Sequence, residues 1–335
     1  YKFIHFISLI MILYFCNKYN YFTKERGLIM DIKITTSNYN SSPKCSSMAS
    51  KEEYNKISTI GENEPAIIYD QETSFSSNNL YSIQSIRANA NTTLTNQEVQ
   101  SGLSTLGLYK GPIDGNLTSS ASKQAIKNFQ QVYCDTHNAG TMTDKMKTKL
   151  LGLLRFRRTL INDSKFNQTA KELSLDSTEK SNLATIWTFL RKRMGLSASQ
   201  AAGVCGNLSF ESHFSTDNLQ DDISRIDHDP NYKYNSSDGK GYGLMQWSEK
   251  IEKKKLLQTA NNMNLNVSDL NAQLAHFQEE MTSGIYRNKW PKLKQKTSTK
   301  DVCDYFESAM EGAGEAHLDK REKDANILYK YLKDH

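Results

Sequence analysis

The sequence predicts a mainly α-helical protein, and three observations carry that expectation. Apolar residues recur at three- and four-residue spacing through most of the chain after residue 95, the period of one helix face. Two capping patterns stand directly ahead of such stripes, Thr95-Asn96-Gln97-Glu98 and Ser197-Ala198-Ser199-Gln200. In each, a hydroxyl and a side chain three residues later can satisfy N–H groups that a helix start leaves free. Glycines mark the stops, Gly107 after the first stripe and Gly195 after a later one. The chain has 335 residues, enough for two or three domains. Only 37% of it is hydrophobic, which is low for one globule of this length, so part is expected to be arm or linker.

Residues 1–29 contain an apolar run of 14 residues, Phe3 to Cys16, flanked by Lys2 and Lys18. It falls short of the ~20 residues that span a bilayer, and no small-x-small cleavage site follows it. Glu25-Arg26-Gly27 can be encoded by a ribosome-binding sequence, so this stretch is read as translated upstream region ahead of a start at Met30. A membrane anchor at residues 3–16 is the less favoured alternative. Residues 30–94 are rich in Ser, Asn and Thr and read as a polar flexible arm. The net charge of +5 is too mild to point to nucleic acid, and it is uneven: +3 over 1–29, −2 over 30–94, +5 over 95–175 and −1 over 176–335. The five cysteines are scattered without metal-ligand or disulfide spacing, and no cofactor or metal is expected.

Residues 95–154 read as a small three-helix module. Val99, Leu103 and Leu106 share one helix face, Gly111-Pro112-Ile113-Asp114-Gly115 forms a tight turn, and Ala125, Ile126, Phe129 and Tyr133 mark a second helix. Thr143 caps a third, carrying Met146, Leu150 and Leu154. From Val99 to Leu151 this order resembles the peptidoglycan-binding module found beside many wall hydrolases. The resemblance rests on Gln100, Leu103, Leu106-Gly107, the Gly111–Gly115 turn and Ala125-Ile126-Lys127-Asn128-Phe129-Gln130. It implies wall contacts around Asp114, Gly115 and Gln130, and the basic excess suits an anionic wall. Residues 155–176 are read as linker with a partial helix.

Residues 177–335 read as the catalytic domain. A long helix carries Leu183, Trp187, Leu190 and Met194; the next carries Ala201, Val204 and Leu208, and then Glu211 on the same face at its C-terminal end. A carboxyl on an apolar face resists ionisation, the condition a general acid needs near neutral pH. A polar loop, 215–240, leads into Gly241-Tyr242-Gly243-Leu244-Met245-Gln246-Trp247. There Tyr242 and Trp247 offer flat faces for sugar rings, Gly243 allows close backbone approach, and Gln246 offers amide hydrogen bonds. Three further stripes complete a helical C-terminus: Leu270 to Met281, Val302 to Ala309 and Ala325 to Leu332.

Together with Gln200-Ala201-Ala202-Gly203, Gly206-Asn207-Leu208, Glu211-Ser212, Met310-Glu311 and Arg321, these residues resemble the phage tail lysozyme family over about 180–333. The resemblance implies a lysozyme-like, α+β domain with a small β element. It places the catalytic acid on Glu211 and the substrate strand on Gly241 to Trp247. Hydrolysis of a glycosidic bond also needs a second group for the water or the intermediate; Asp238 is the first candidate, with Asp227 and Asp229 as alternatives. Without one, Glu211 would serve as acid and base and leave a 1,6-anhydro sugar, as lytic transglycosylases do. The expected partner is peptidoglycan at the bacterial wall, with a phage tail or secretion assembly as carrier and no nucleic acid. Two rivals remain: a non-catalytic wall-binding tail protein, and a Cys/His peptidase built on Cys205 with His213 or His228.

Overall fold

The computed structural model describes residues 93–135, 140–220, 232–312 and 317–335. The leader, nearly all of the polar arm, and Asp227, His228 and Asp229 therefore lie outside the described residues. The chain divides into two units, Tyr1–Asp70 and Gln71–His335, and everything below belongs to the second.

The protein is mainly α-helical. In chain order the helices are α1 (Asn96–Thr105), α2 (Ser120–Tyr133), α3 (Asp144–Ile161), α4 (Ser164–Glu172), α5 (Ser177–Lys192) and α6 (Ala198–Ser212). They continue as α7 (Lys250–Met263), α8 (Leu270–Thr282), α9 (Trp290–Leu293), α10 (Thr299–Phe306), a π-helical turn (Glu307–Glu311) and α11 (Leu318–Leu332). Both capping boxes read from the sequence are formed, at Thr95 and Ser197, and a third stands at Asp176 with Glu179. Among the described residues, β structure amounts to one isolated antiparallel bridge, Leu219 to Tyr242. No described helix is long and apolar enough to cross a membrane.

The stretch read as linker is helical. α3 runs on to Ile161 with Leu160 buried, and α4 follows at once, capped by Asp163 and burying Phe166, Thr169 and Ala170. α1–α3 are also packed into the rest of the unit. Tyr133 of α2 meets Phe189 of α5 edge-on at 6.2 Å, and Phe189 meets Phe277 of α8 at 6.4 Å. Buried amides bridge the same seam: Asn128 Nδ2 donates to the Met263 carbonyl (2.9 Å) and Asn271 Nδ2 to the Leu106 carbonyl (2.9 Å). A buried carbonyl without a donor would cost about 1–3 kcal/mol, so these bonds tie the seam together.

α6 lies at the centre of the C-terminal half, packed most extensively against α11 and α10. Its glycines permit this. A Cβ at Gly203 would stand 2.7 Å from the Val302 side chain, and one at Gly206 would stand 2.5 Å from the Arg321 carbonyl and 2.6 Å from the Ala325 Cβ. The backbone of α6 thus sits directly on α10 and α11, which brings Arg321 to the end of α6.

Candidate active site

Glu211 stands in the last turn of α6. The helix stops at once, because His213 and Phe214 both take left-handed backbone conformations (φ 53° and 63°) that L-residues rarely adopt. Their contacts offset the strain. His213 lies between Glu179 (Nδ1 to Oε1, 2.9 Å) and the Leu173 carbonyl (Nε2, 2.8 Å), Phe214 is buried, and Asn182 Nδ2 donates to its carbonyl.

The Glu211 side chain is 17% exposed, so one side of it is open to a ligand. The other side meets the guanidinium of Arg321, which is fully buried. That guanidinium also holds Glu311 and donates to Asn207 Oδ1 (3.0 Å). Asn207 is fixed in turn by donating from Nδ2 to the Gly203 and Cys303 carbonyls (2.9 and 3.1 Å). The Phe210 ring covers Arg321 at 4.3 Å and rests 5.4 Å from the ring of His317. Glu311 ends the π-helical turn, a form that inserts one residue into a helix and often marks a functional site. Burial, and then the charge of Glu211, push the Glu311 carboxyl well above the usual carboxylate range, against the opposing pull of Arg321.

The glycine-rich segment is tied to the same helix end. Ser212 Oγ donates to the Leu244 carbonyl (3.1 Å), and Asn218 Nδ2 donates to the Glu211 carbonyl (3.1 Å). The Asn218 carbonyl accepts from Gly243 N (2.8 Å) and Gln246 Nε2 (3.2 Å). Gly243 requires its lack of a side chain twice over: φ is 73°, and a Cβ would stand 2.6 Å from Gln273. Gln273 is buried and donates from Nε2 to the Thr216 and Val267 carbonyls while its Oε1 accepts from Leu244 N. The backbone of Glu211 is thus tied through Asn218 to Gly243 and Gln246, with Gly243 buried and Gln246 half-buried and bound to its own loop.

Tyr242 and Trp247 do not offer open faces. Both are buried, Tyr242 beneath Tyr232 and Tyr234, and Trp247 against His276 at 5.1 Å with its Nε1 donating to Glu280 Oε2 (2.9 Å). Their backbones pair with each other in both directions, which closes the segment into a tight loop. Burial raises Glu280 to about 8 and lowers His276 to about 4, so both are neutral at pH 7. Asp238 lies against the fully buried Lys253 and accepts from Tyr232 Oη (2.6 Å) and Lys240 N (3.1 Å). Burial works to raise its pKa, but the bonds from Lys253 and Tyr232 outweigh it and hold Asp238 below the usual range.

In the three-helix part, Gln100 is the anchor that the sequence reading left without a role. Fully buried, it donates to Asp114 Oδ1 (2.9 Å) and accepts from Gly115 N (2.7 Å), which fixes the turn and leaves Asp114 exposed. Gln130 is buried and clamps the next turn through the Thr141 carbonyl and Gly140 N, so it is not a surface group. Cys205 is buried and its thiol is pushed up by burial, the opposite of what a nucleophile needs. His213 is committed to Glu179 and Leu173.

Arg321 and Glu311 were visible in the sequence without a role, yet a signal was present. Arg321 heads the stripe Arg321, Ala325, Leu328, Leu332, and Lys253 heads Lys253, Leu256, Ala260, Met263. A cation in phase with an apolar stripe must be buried, and a buried cation needs a carboxylate. Searches of curated proteins and of solved structures gave no match. The stretch from α5 through α11, residues 181–332, matches the family model of phage tail lysozyme.

Proposed function

We propose that this protein cleaves the glycan strand of bacterial peptidoglycan, in the manner of a muramidase, with Glu211 as general acid. One observation carries the reading: Glu211 alone of the Glu211–Arg321–Glu311 trio combines an open side with a fixed carboxyl, at a helix end joined to a glycine-containing loop. A sugar seated over the half-buried Gln246 would bring its glycosidic oxygen toward that carboxyl, while Gly243, buried against Gln273, shapes the loop rather than meeting substrate. Glu211 gives its proton to the leaving oxygen as an oxocarbenium-like centre develops. Asp238, ionised by its bond to Lys253, has the charge that a base or nucleophile needs at neutral pH. Lys253 and Tyr232 nevertheless engage both of its oxygens, which favours a second reading. In that reading Glu211 acts alone, first as acid and then as base, and the product is a 1,6-anhydro sugar.

The net +5 of residues 95–175 suits contact with carboxylates or phosphates of the wall, whereas the exposed Asp114 would accept hydrogen bonds from its hydroxyls and amides. The family match fits a carrier such as a phage tail. Substitution Glu211→Gln is expected to lower cleavage of purified peptidoglycan about 10²–10⁴-fold without a change in thermal unfolding. A fully active, folded variant overturns the assignment. Mass analysis of released muropeptides separates free reducing ends from anhydro ends, and Asp238→Asn abolishes the former route only if Asp238 takes part.

A further inference from the structure

Two carboxyls face one buried guanidinium at the end of α6, and the second has no role in the mechanism above. Glu311 is too enclosed to reach substrate, with 6% of its side chain exposed. It meets one terminal nitrogen of Arg321 while Glu211 meets the other, which sets the two carboxyls side by side on one guanidinium. Its Oε1 finds no donor among the described residues. With both carboxyls ionised, the trio carries a net charge of −1 in a buried place; with one proton it is neutral. A proton on Glu311 turns an acceptor into a donor for the carboxylate beside it.

We propose that Glu311 is a positioning residue of the active site, sharing one proton with Glu211 across the Arg321 guanidinium and so keeping Glu211 able to donate. The inference rests on Glu211 as the general acid. Without Glu311, Glu211 would face Arg321 alone, and an adjacent cation favours the ionised form, which cannot donate. With Glu311, removal of the last proton from the pair is opposed by burial and by like charge, so the pair titrates in two steps. When substrate covers the open side of Glu211, the shared proton moves to Glu211 and Arg321 balances the charge left on Glu311.

The surroundings agree. Burial first, then the charge of Glu211, hold Glu311 well above the usual carboxylate range. From α10, Cys303 faces the trio with its thiol pushed up to about 12 by burial. The Tyr286 phenol lies near Glu311 and donates to the adjacent Met310 carbonyl. Asn207 comes from α6, and His317, ahead of α11, lies tilted against Phe210. Asp304 and Glu322 are engaged by Lys300, and Asp324 by Ser209. The π-helical turn serves the pair by carrying Glu311 to the guanidinium before Gly312 (φ 61°) releases the chain.

The test is the pH profile of kcat/KM on purified peptidoglycan for the full chain and for Glu311→Gln, Glu311→Asp and Glu211→Gln. The alkaline limb of E311Q is expected to move toward acid by about one pH unit or more, and E311D to restore most of it. A folded E311Q with an unmoved alkaline limb overturns the proposal. If E311Q does not fold, 13C NMR of glutamate carboxyls in the parent decides. Two coupled steps, the upper absent from E211Q, support the shared proton; two steps inside the ordinary carboxylate range overturn it. An active E211Q overturns the general acid itself, whereas an inactive E211Q with an unshifted E311Q overturns only the role of Glu311.

Discussion

Lys253 shows at the scale of one residue how this fold handles charge. Fully buried, it has Asp238, the Lys240 carbonyl and the Tyr234 ring around it. Lys253→Met leaves Asp238 facing an apolar group, and removal of one partner from such a pair is expected to cost about 3 kcal/mol, read as a lowered urea midpoint. An unchanged midpoint would show that Asp238 is solvated and free for chemistry. Glu280 and His276 give a pH signature. His276 falls from 6.5 to about 4, so its contribution is present above pH 6.5 and is lost as the pH falls through 4. Glu280 rises from 4.5 to about 8, so its contribution is present below pH 4.5 and is lost as the pH rises through 8. The two slopes oppose each other between 4.5 and 6.5, and from 6.5 to 8 only that of Glu280 remains. Glu280→Gln should therefore gain about 2 kcal/mol on the parent between pH 6.5 and 8; parallel stability curves would refute the neutral buried carboxyl. The sequence placed Glu211 at a helix end because it follows an apolar stripe. It misplaced Tyr242 and Trp247, because an aromatic beside glycine looks the same whether it packs inward or faces a ligand.

Helix starts were legible because capping is local. Thr95, Thr143 and Ser197 cap as their side chains dictate, and Asp269 caps α8 in the same way. The π-helical turn was not legible, because in the sequence Val302 to Ala309 reads as one unbroken helical stripe. The same limit applies to α6. Its stripe was evident, but the purpose of Gly203 and Gly206 depends on what lies opposite. Gly206→Ala drives a methyl into the backbone of α11, and such overpacking is expected to cost about 1–3 kcal/mol. It should also displace Arg321 and lower kcat more than KM rises. A variant with parental stability and activity would mean that α11 slides freely on α6.

At the scale of the molecule, the boundary expected between a binding module and a catalytic domain is occupied by helices. Residues 155–176 looked like linker because their apolar positions, Leu160, Phe166, Ala170 and Leu173, are spread across a break at Asp163. α2 buries Phe129, Val132 and Tyr133, and part of that surface faces α5. A fragment of residues 177–335 exposes Phe189 and leaves the Met263 carbonyl without its donors. It is expected to bind hydrophobic dye and to lose cooperative unfolding, and a sharply melting fragment would restore the two-module picture. The three buried thiols among the described residues carry a practical consequence of this architecture. Cys134 ends α2, Cys205 lies within α6 and Cys303 within α10, so an alkylating reagent can reach them only when the surrounding structure opens. Each is a clock on its own part of the chain. If α1–α3 and the lysozyme-like half open as one body, the clocks at 134 and 205 run at one rate; if the halves breathe separately, the first runs fast while the second barely moves.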